Sequence, residues 1–228
     1  AKAIGSFSGS KFTATKYAVL DDSTPYGKDL AAGATKELLA AKKEIALKLS
    51  FDDKTREFDD LAVKIKDAGV EVIVTTLSDF QNIALLNGLK KINYTKINLL
   101  GGDTIKTTDM LKGAGIVDGL YSTSPILDAR EFPTGKAFLD KYLAAYKVAP
   151  AYAGHYTYDA TYVLAAAIRR TESAKPEEIV KALRRIDGYA PVTGSMRWDE
   201  NGEQKYGVVG VYLARSAQWD PQVRSDNW

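Results

Sequence analysis

Asp103 is the side chain best placed to do chemistry. It follows an apolar run at 97–100 and two glycines, Gly101-Gly102. A carboxylate so placed stands at the carboxyl end of a strand, where open α/β sheets bind ligands. There it can hold a ligand ammonium through charge-assisted hydrogen bonds. The plainer alternative is that it caps the next helix. Tyr26, within YAVLDDSTPYGKDL at 17–30, offers a ring and a hydroxyl after another apolar run. It can stack on a ligand or donate to it, or be an ordinary loop aromatic over the core. Ser78 and Asp79 follow the run at 72–76 on the same kind of rim. Helix capping is the simpler reading for both.

Other candidates lead away from catalysis. His155 is the single histidine, and no nucleophile elbow accompanies it, so packing near a helix start is expected. The acid pairs Asp21-Asp22, Asp52-Asp53 and Asp59-Asp60 point successive side chains in different directions, poor geometry for one metal ion. Asp199, Asn201 and Gly202 fall short of a calcium-loop spacing and fit a tight turn. Neither nucleotide-phosphate signature, G-x-G-x-x-G or G-x-x-x-x-G-K-[ST], is present. The absence of cysteine excludes disulfides, thiolate metal sites and cysteine nucleophiles. A protein that is not an enzyme, with no cofactor and no metal, is the expectation.

These residues need elements to carry them. Apolar runs at 17–20, 72–76 and 97–100, an alternating apolar and polar stretch at 45–49 and a last segment at 119–122 read as strands. Helical patterns lie between them, near 28–43, from 58 to Gly69, from Ser78 or Asp79 to about 91, and near 107–112. Strands alternating with helices imply parallel pairing with right-handed crossovers, a doubly wound α/β sheet. The pattern changes at Ser124-Pro125. Residues 132–187 are mostly helical, with Phe138, Leu139, Tyr142, Leu143 and Tyr146 as one stripe. These helices have apolar faces but no adequate sheet of their own. Asn201-Gly202 predicts a hairpin with arms at 192–198 and 206–214.

Composition agrees with a folded chain. Of 228 residues, 45% are apolar, enough to bury a core. The net charge of +2 comes from interspersed lysines and acids, which points to no nucleic-acid partner. No apolar run reaches the ~18 residues that a membrane span needs. The start, AKAIGSFSGS, has neither an initiator methionine nor a signal-peptide core, so a longer precursor is expected.

Taken together, five segments resemble the type I periplasmic solute-binding proteins of ABC transporters, the leucine/isoleucine/valine-binding family. They are AVLDDSTPYGKDLAAG at 18–33, FDDLAVKIKDAGVEVIV at 58–74, LLGGDT at 99–104, YTYDATYVLAAAI at 156–168 and TGSMRWDENGEQ at 193–204. No single segment is specific; their order is. The resemblance implies a periplasmic protein with two α/β lobes, the first one incomplete because the family's amino-terminal portion is missing. On that basis 1–124 is the second lobe, 125–190 holds returning helices of the first lobe, and 191–228 is a crossing hairpin and tail. It implies an amino acid, branched-chain or otherwise apolar, held between the lobes and passed to a membrane permease by hinge closure. A sensor of the same fold, binding an amide, urea-like or aromatic-acid ligand, is the alternative. By position, the resemblance makes Asp103 the acceptor of the ligand's ammonium and Tyr26 a cleft tyrosine. Ser78 or Asp79 becomes a further cleft residue, and Tyr152 an aromatic against the ligand side chain.

Overall fold

A computed structural model describes residues 1–226. The described residues form two units, Ala1–Pro125 together with the chain from Val209 onward, and Ile126–Val208.

The first unit is built on a seven-stranded sheet. Its strands are β1 (Lys16–Asp21), β2 (Glu44–Ser50), β3 (Val72–Thr75), β4 (Asn98–Gly101), β5 (Leu120–Ser124), β6 (Gly210–Arg215) and β7 (Gln218–Arg224). They lie in the order β2-β1-β3-β4-β5-β6-β7. The first five pair in parallel. β6 and β7 add antiparallel, with Ser124 opposite Gly210. Helices α1 (Lys2–Lys11), α2 (Pro25–Ala40), α3 (Asp59–Asp67), α4 (Asp79–Lys91) and α5 (Thr108–Gly113) belong to the same unit. Central strands of a parallel sheet are buried on both faces and read as unbroken apolar runs. Accordingly, β3 is buried at all four positions. Alternate side chains feed two cores. Ala18, Leu20, Ile73 and Leu99 pack with α3 and α4 residues such as Ile65, Leu85 and Leu89. Tyr17, Val19, Val72, Val74 and Leu100 pack with Ile4, Phe7, Ala31, Ala34 and Leu38 of α1 and α2.

Three features add to or differ from the sequence expectation. AKAIGSFSGS forms α1, whose Ile4 and Phe7 are buried. Its Gly5 lies so close to α2 that a Cβ there would meet Glu37 and the Ala34 carbonyl. Second, α2 begins at Pro25 with Thr24 as its cap, so Tyr26 sits in the first helical turn rather than in a loop. Third, the strand hairpin is β6–β7, not 192–198 with 206–214. Its two-residue turn is Ser216-Ala217, both left-handed at φ 48° and 57°. The Asn201-Gly202 turn exists, with Gly202 at φ 86°, but the segment holds only single bridges, Asp187 to Arg197 and Trp198 to Gln204.

The second unit contains α6 (Gly135–Tyr146), α7 (Gly154–Thr171) and α8 (Pro176–Leu183). Its anchor is Asp159, a fully buried carboxylate in α7. One oxygen accepts the Val192 N–H at 2.8 Å, and the other accepts the Thr193 N–H and hydroxyl at 2.7 and 2.8 Å. His155 packs among Phe132, Phe138 and Tyr156, with Nε2 3.0 Å from the Leu127 carbonyl. That is the packing role its sequence context suggests. Leu143, Val148, Leu164, Ile168 and Val180 remain exposed, an aliphatic surface that these helices do not cover by themselves.

Candidate functional site

The site is the carboxyl rim of β1, β3 and β4, and each loop on it is tied down by its own polar groups. After β1, Asp21 accepts the Ser23 N–H at 2.9 Å and the Ser50 hydroxyl at 2.7 Å. Asp22 accepts both the N–H and hydroxyl of Thr24, at 3.1 and 2.7 Å. Thr24 in turn accepts the Gly27 N–H at 3.0 Å, satisfying one of the open donors of the helix start. Thr76, at the end of β3, donates to the Gly27 carbonyl at 3.1 Å. Gly27 leaves no room for a side chain, because a Cβ would meet the Asp22 carboxylate and the Thr76 hydroxyl. The adjacent acids thus organise the turn that presents Tyr26.

After β4, the carbonyls of Gly101 and Gly102 accept hydroxyls from the neighbouring strand, Thr123 at 3.2 Å and Ser122 at 2.9 Å. Asp103 then opens a single 3₁₀ turn anchored by the fully buried Ile105. Lys106, at the end of that turn, places its ammonium 3.3 Å from the ring centroid of the buried Tyr212. Loops after β1 and β4 are two strand spacings, roughly 10 Å, apart. Tyr26 closes that gap: its hydroxyl donates to Asp103 Oδ1 at 2.6 Å. Asp103 Oδ2 has no hydrogen-bond partner among the described residues.

Ser78 and Asp79 stand on the same rim, at the start of α4. The N–H and hydroxyl of Ser78 both reach Gln81 Oε1, at 3.2 and 3.1 Å. Asp79 accepts the Phe80 N–H at 2.7 Å and the Thr107 hydroxyl at 2.9 Å. Their contacts here are those of a helix start and of a tie between loops. Thr104 and Asn82 hold the intervening loop by donating to the Leu77 carbonyl, at 3.1 and 3.0 Å. Tyr152 belongs to the second unit, exposed in the turn before α7. The structure brings Asp103 and Tyr26 together, through groups that the sequence reading does not name: Thr24, Thr76, Ser122, Thr123, Thr104 and Lys106. Thr24-Pro25 was a readable helix-start signal, and Ser78-x-x-Gln81 a readable capping pair. The hydroxyls on β5 carry no such local signature.

The rim thus offers the second carboxylate oxygen of Asp103, a hydroxyl already oriented and an exposed ring, with Asp22 Oδ2 as a further carboxylate oxygen that accepts no hydrogen bond among the described residues. It can hold a hydrogen-bond donor, best a cation. Among the described residues, no group of three His, Cys, Asp or Glu is placed to hold a metal ion.

A sequence model described as periplasmic binding protein matches residues 1–218. The chain belongs to the periplasmic binding protein family. Among its curated relatives, Leu/Ile/Val-binding protein homolog 1 of Brucella abortus is 30% identical over 202 residues, covering 85% of this chain and 52% of the relative. The leucine-, isoleucine-, valine-, threonine- and alanine-binding protein of Pseudomonas aeruginosa is 27% identical over 214 residues, covering 89% and 55%. The chain spans about half the length of these relatives. In fold it is similar to a leucine-binding protein from Thermotoga maritima, with TM-score 0.87, 21% identity and coverage of 98% of this chain and 64% of that one. A solute-binding protein of R. palustris solved with benzoate gives TM-score 0.81 at 17% identity, covering 98% and 62%. No described helix of this periplasmic binding protein is long and apolar enough to cross a membrane.

Proposed function

We propose that this chain binds an amino acid, branched-chain or otherwise apolar, and serves its delivery to the permease of an ABC transporter in the periplasm. The first unit corresponds to the second lobe of the family, and the helices near 125–190 to part of the first. Asp103 Oδ2 accepts the solute's ammonium. Tyr26 holds the carboxylate in position and presents its ring to the solute. Ser78 and Asp79 shape the rim beside them. No bond is made or broken. Ligand selects the conformation that offers it the most contacts.

The observation that carries this reading is the 2.6 Å bond from Tyr26 to Asp103, which fixes one carboxylate oxygen and leaves the other open beside an exposed ring. Relatives named for leucine, isoleucine and valine support the choice of solute. Neighbours solved with benzoate and 4-hydroxybenzoate favour the second reading, an aromatic acid. Calorimetric titration with leucine, valine and 4-hydroxybenzoate separates the two. A hydrogen bond to a charged group is worth about 1.5–3 kcal/mol. Asp103→Asn is therefore expected to weaken leucine roughly 10–100-fold. Binding of 4-hydroxybenzoate but not leucine, undiminished by Asp103→Asn, would overturn the amine reading.

A further inference from the structure

The second unit carries a feature that solute binding at the rim does not use. Five aromatic rings form a continuous ladder along α6 and across to α7. Tyr146 lies 4.6 Å from Tyr142, Tyr142 lies 5.8 Å from Phe138, Phe138 lies 5.3 Å from Tyr158, and Tyr158 lies 4.7 Å from Tyr162, centroid to centroid. Helical spacing of four residues stacks them on one face of each helix. Beside the ladder is an open cavity of about 400 Å³, walled by Phe138, Tyr142, Tyr146 and Tyr158 and floored by Pro191. That volume is within the usual range for small-molecule sites, ~300–1,000 Å³. The single charged residue lining it is Lys141.

The chemistry of this groove differs from that of the aliphatic surface nearby. Leu164 and Ile168, elsewhere on α7, are exposed aliphatic side chains. Three tyrosines, Tyr142, Tyr146 and Tyr158, line the groove, and such side chains combine a flat apolar face with a polar tip and suit a wet surface. An aromatic cage alone would favour a cationic ligand. Here the Lys141 ammonium opposes one. Among the described residues Lys141 makes no ion pair, while its neighbour Lys136 is bound to Asp140 at 2.6 Å. The one buried acid close in sequence, Asp159, is fully engaged by Val192 and Thr193.

We propose that this groove is a second binding site, separate from the rim, for a small aromatic carboxylate. The ligand ring stacks on Tyr142, Tyr146 and Tyr158, and its carboxylate meets Lys141. The site needs nothing from Asp103 or Tyr26, so it stands or falls independently of the amino-acid reading.

The test uses phenylacetate as probe, followed by calorimetry and by chemical shifts of the tyrosine rings. Lys141 and Tyr146 are exposed, so Lys141→Gln and Tyr146→Ser preserve the fold. Each is expected to weaken phenylacetate at least tenfold, with shifts on Tyr142, Tyr146 and Tyr158. Asp103→Asn is expected to leave it unchanged, and uncharged benzyl alcohol and cationic phenethylamine to bind more weakly. Absence of binding, insensitivity to Lys141→Gln, loss on Asp103→Asn, or shifts confined to Tyr26 would each overturn the proposal.

Discussion

Removing the Asp159 carboxylate is expected to unlock the second unit. The side chain is fully buried, and it accepts the Val192 N–H, the Thr193 N–H and the Thr193 hydroxyl. In Asp159→Ala the hydroxyl can rotate toward another partner, but two backbone N–H groups lose their acceptor. Each buried donor left unsatisfied costs about 1–3 kcal/mol. The loss of two gives roughly 2–6 kcal/mol, before any relaxation of the chain around Val192 and with the part-buried Thr193 amide toward the low end. For a chain of this size, 1 kcal/mol moves the melting temperature by about 2–4 °C, so a drop near 10 °C is expected. Asp159→Asn keeps one acceptor but turns an amide donor toward the other N–H. It should fall between the variant and the parent, at about 1–3 kcal/mol. Calorimetry measures the global effect. Amide hydrogen exchange at Val192 and Thr193 reports the local one, which matters because the two units can open separately. If Asp159→Ala melted within about 2 °C of the parent and left both amides protected, the carboxylate would not be the anchor, and the reasoning would fail.

Three further outcomes follow from the geometry. Gly27→Ala forces a Cβ against Asp22 and Thr76. Overpacking of this kind costs about 1–3 kcal/mol, read as a lower denaturant midpoint, and it should displace Tyr26 enough to change tyrosine fluorescence. Glu71 accepts the N–H and hydroxyl of Thr15 and the N–H of Lys16, at 2.9, 3.1 and 3.1 Å. The Thr15 and Lys16 amides hold its carboxyl below its ordinary value of 4.5. Its contribution to stability is therefore present above that value and lost as pH falls through the depressed native one. Glu71→Gln should melt lower than the parent at neutral pH, with the two curves converging as pH falls through the depressed native value; parallel curves would contradict this. Finally, Ser216 and Ala217 both occupy left-handed backbone. Replacing them by Asn-Gly should stabilise the protein by about 1 kcal/mol, checked by urea titration.

Much of the fold was readable because a parallel sheet writes itself as buried runs. The residues of β1, β3 and β4 leave little choice of element, and Asp103 inherits its position from Gly101-Gly102. What stayed hidden depends on partners distant in sequence. Helix α1 is short of large apolar residues and gains its place from close approach to α2, a contact with no local signature. The apolar pattern that starts at Lys28 places Tyr26 in a loop, although Thr24-Pro25 begins the helix. The hairpin was placed at Asn201-Gly202 because glycine marks a tight turn, whereas the paired strands meet at Ser216-Ala217, which carries none. The bond between Tyr26 and Asp103 spans 77 residues, and only the strand order, with β3 between β1 and β4, brings them together.

The pairing of Ser124 with Gly210 bears on how the molecule assembles in time. Strands β6 and β7 form a local hairpin and can zip on their own, on the microsecond scale of such elements. Docking that hairpin onto β5 is a different event, because it closes a loop running from Pro125 to Val209. The entropic cost of closure rises with loop length, and contacts of large sequence separation slow folding. The Ile126–Val208 segment, once folded, shortens that loop to its two ends. The expected order of events is then parallel strands and the helical segment first, and the rung between Ser124 and Gly210 last.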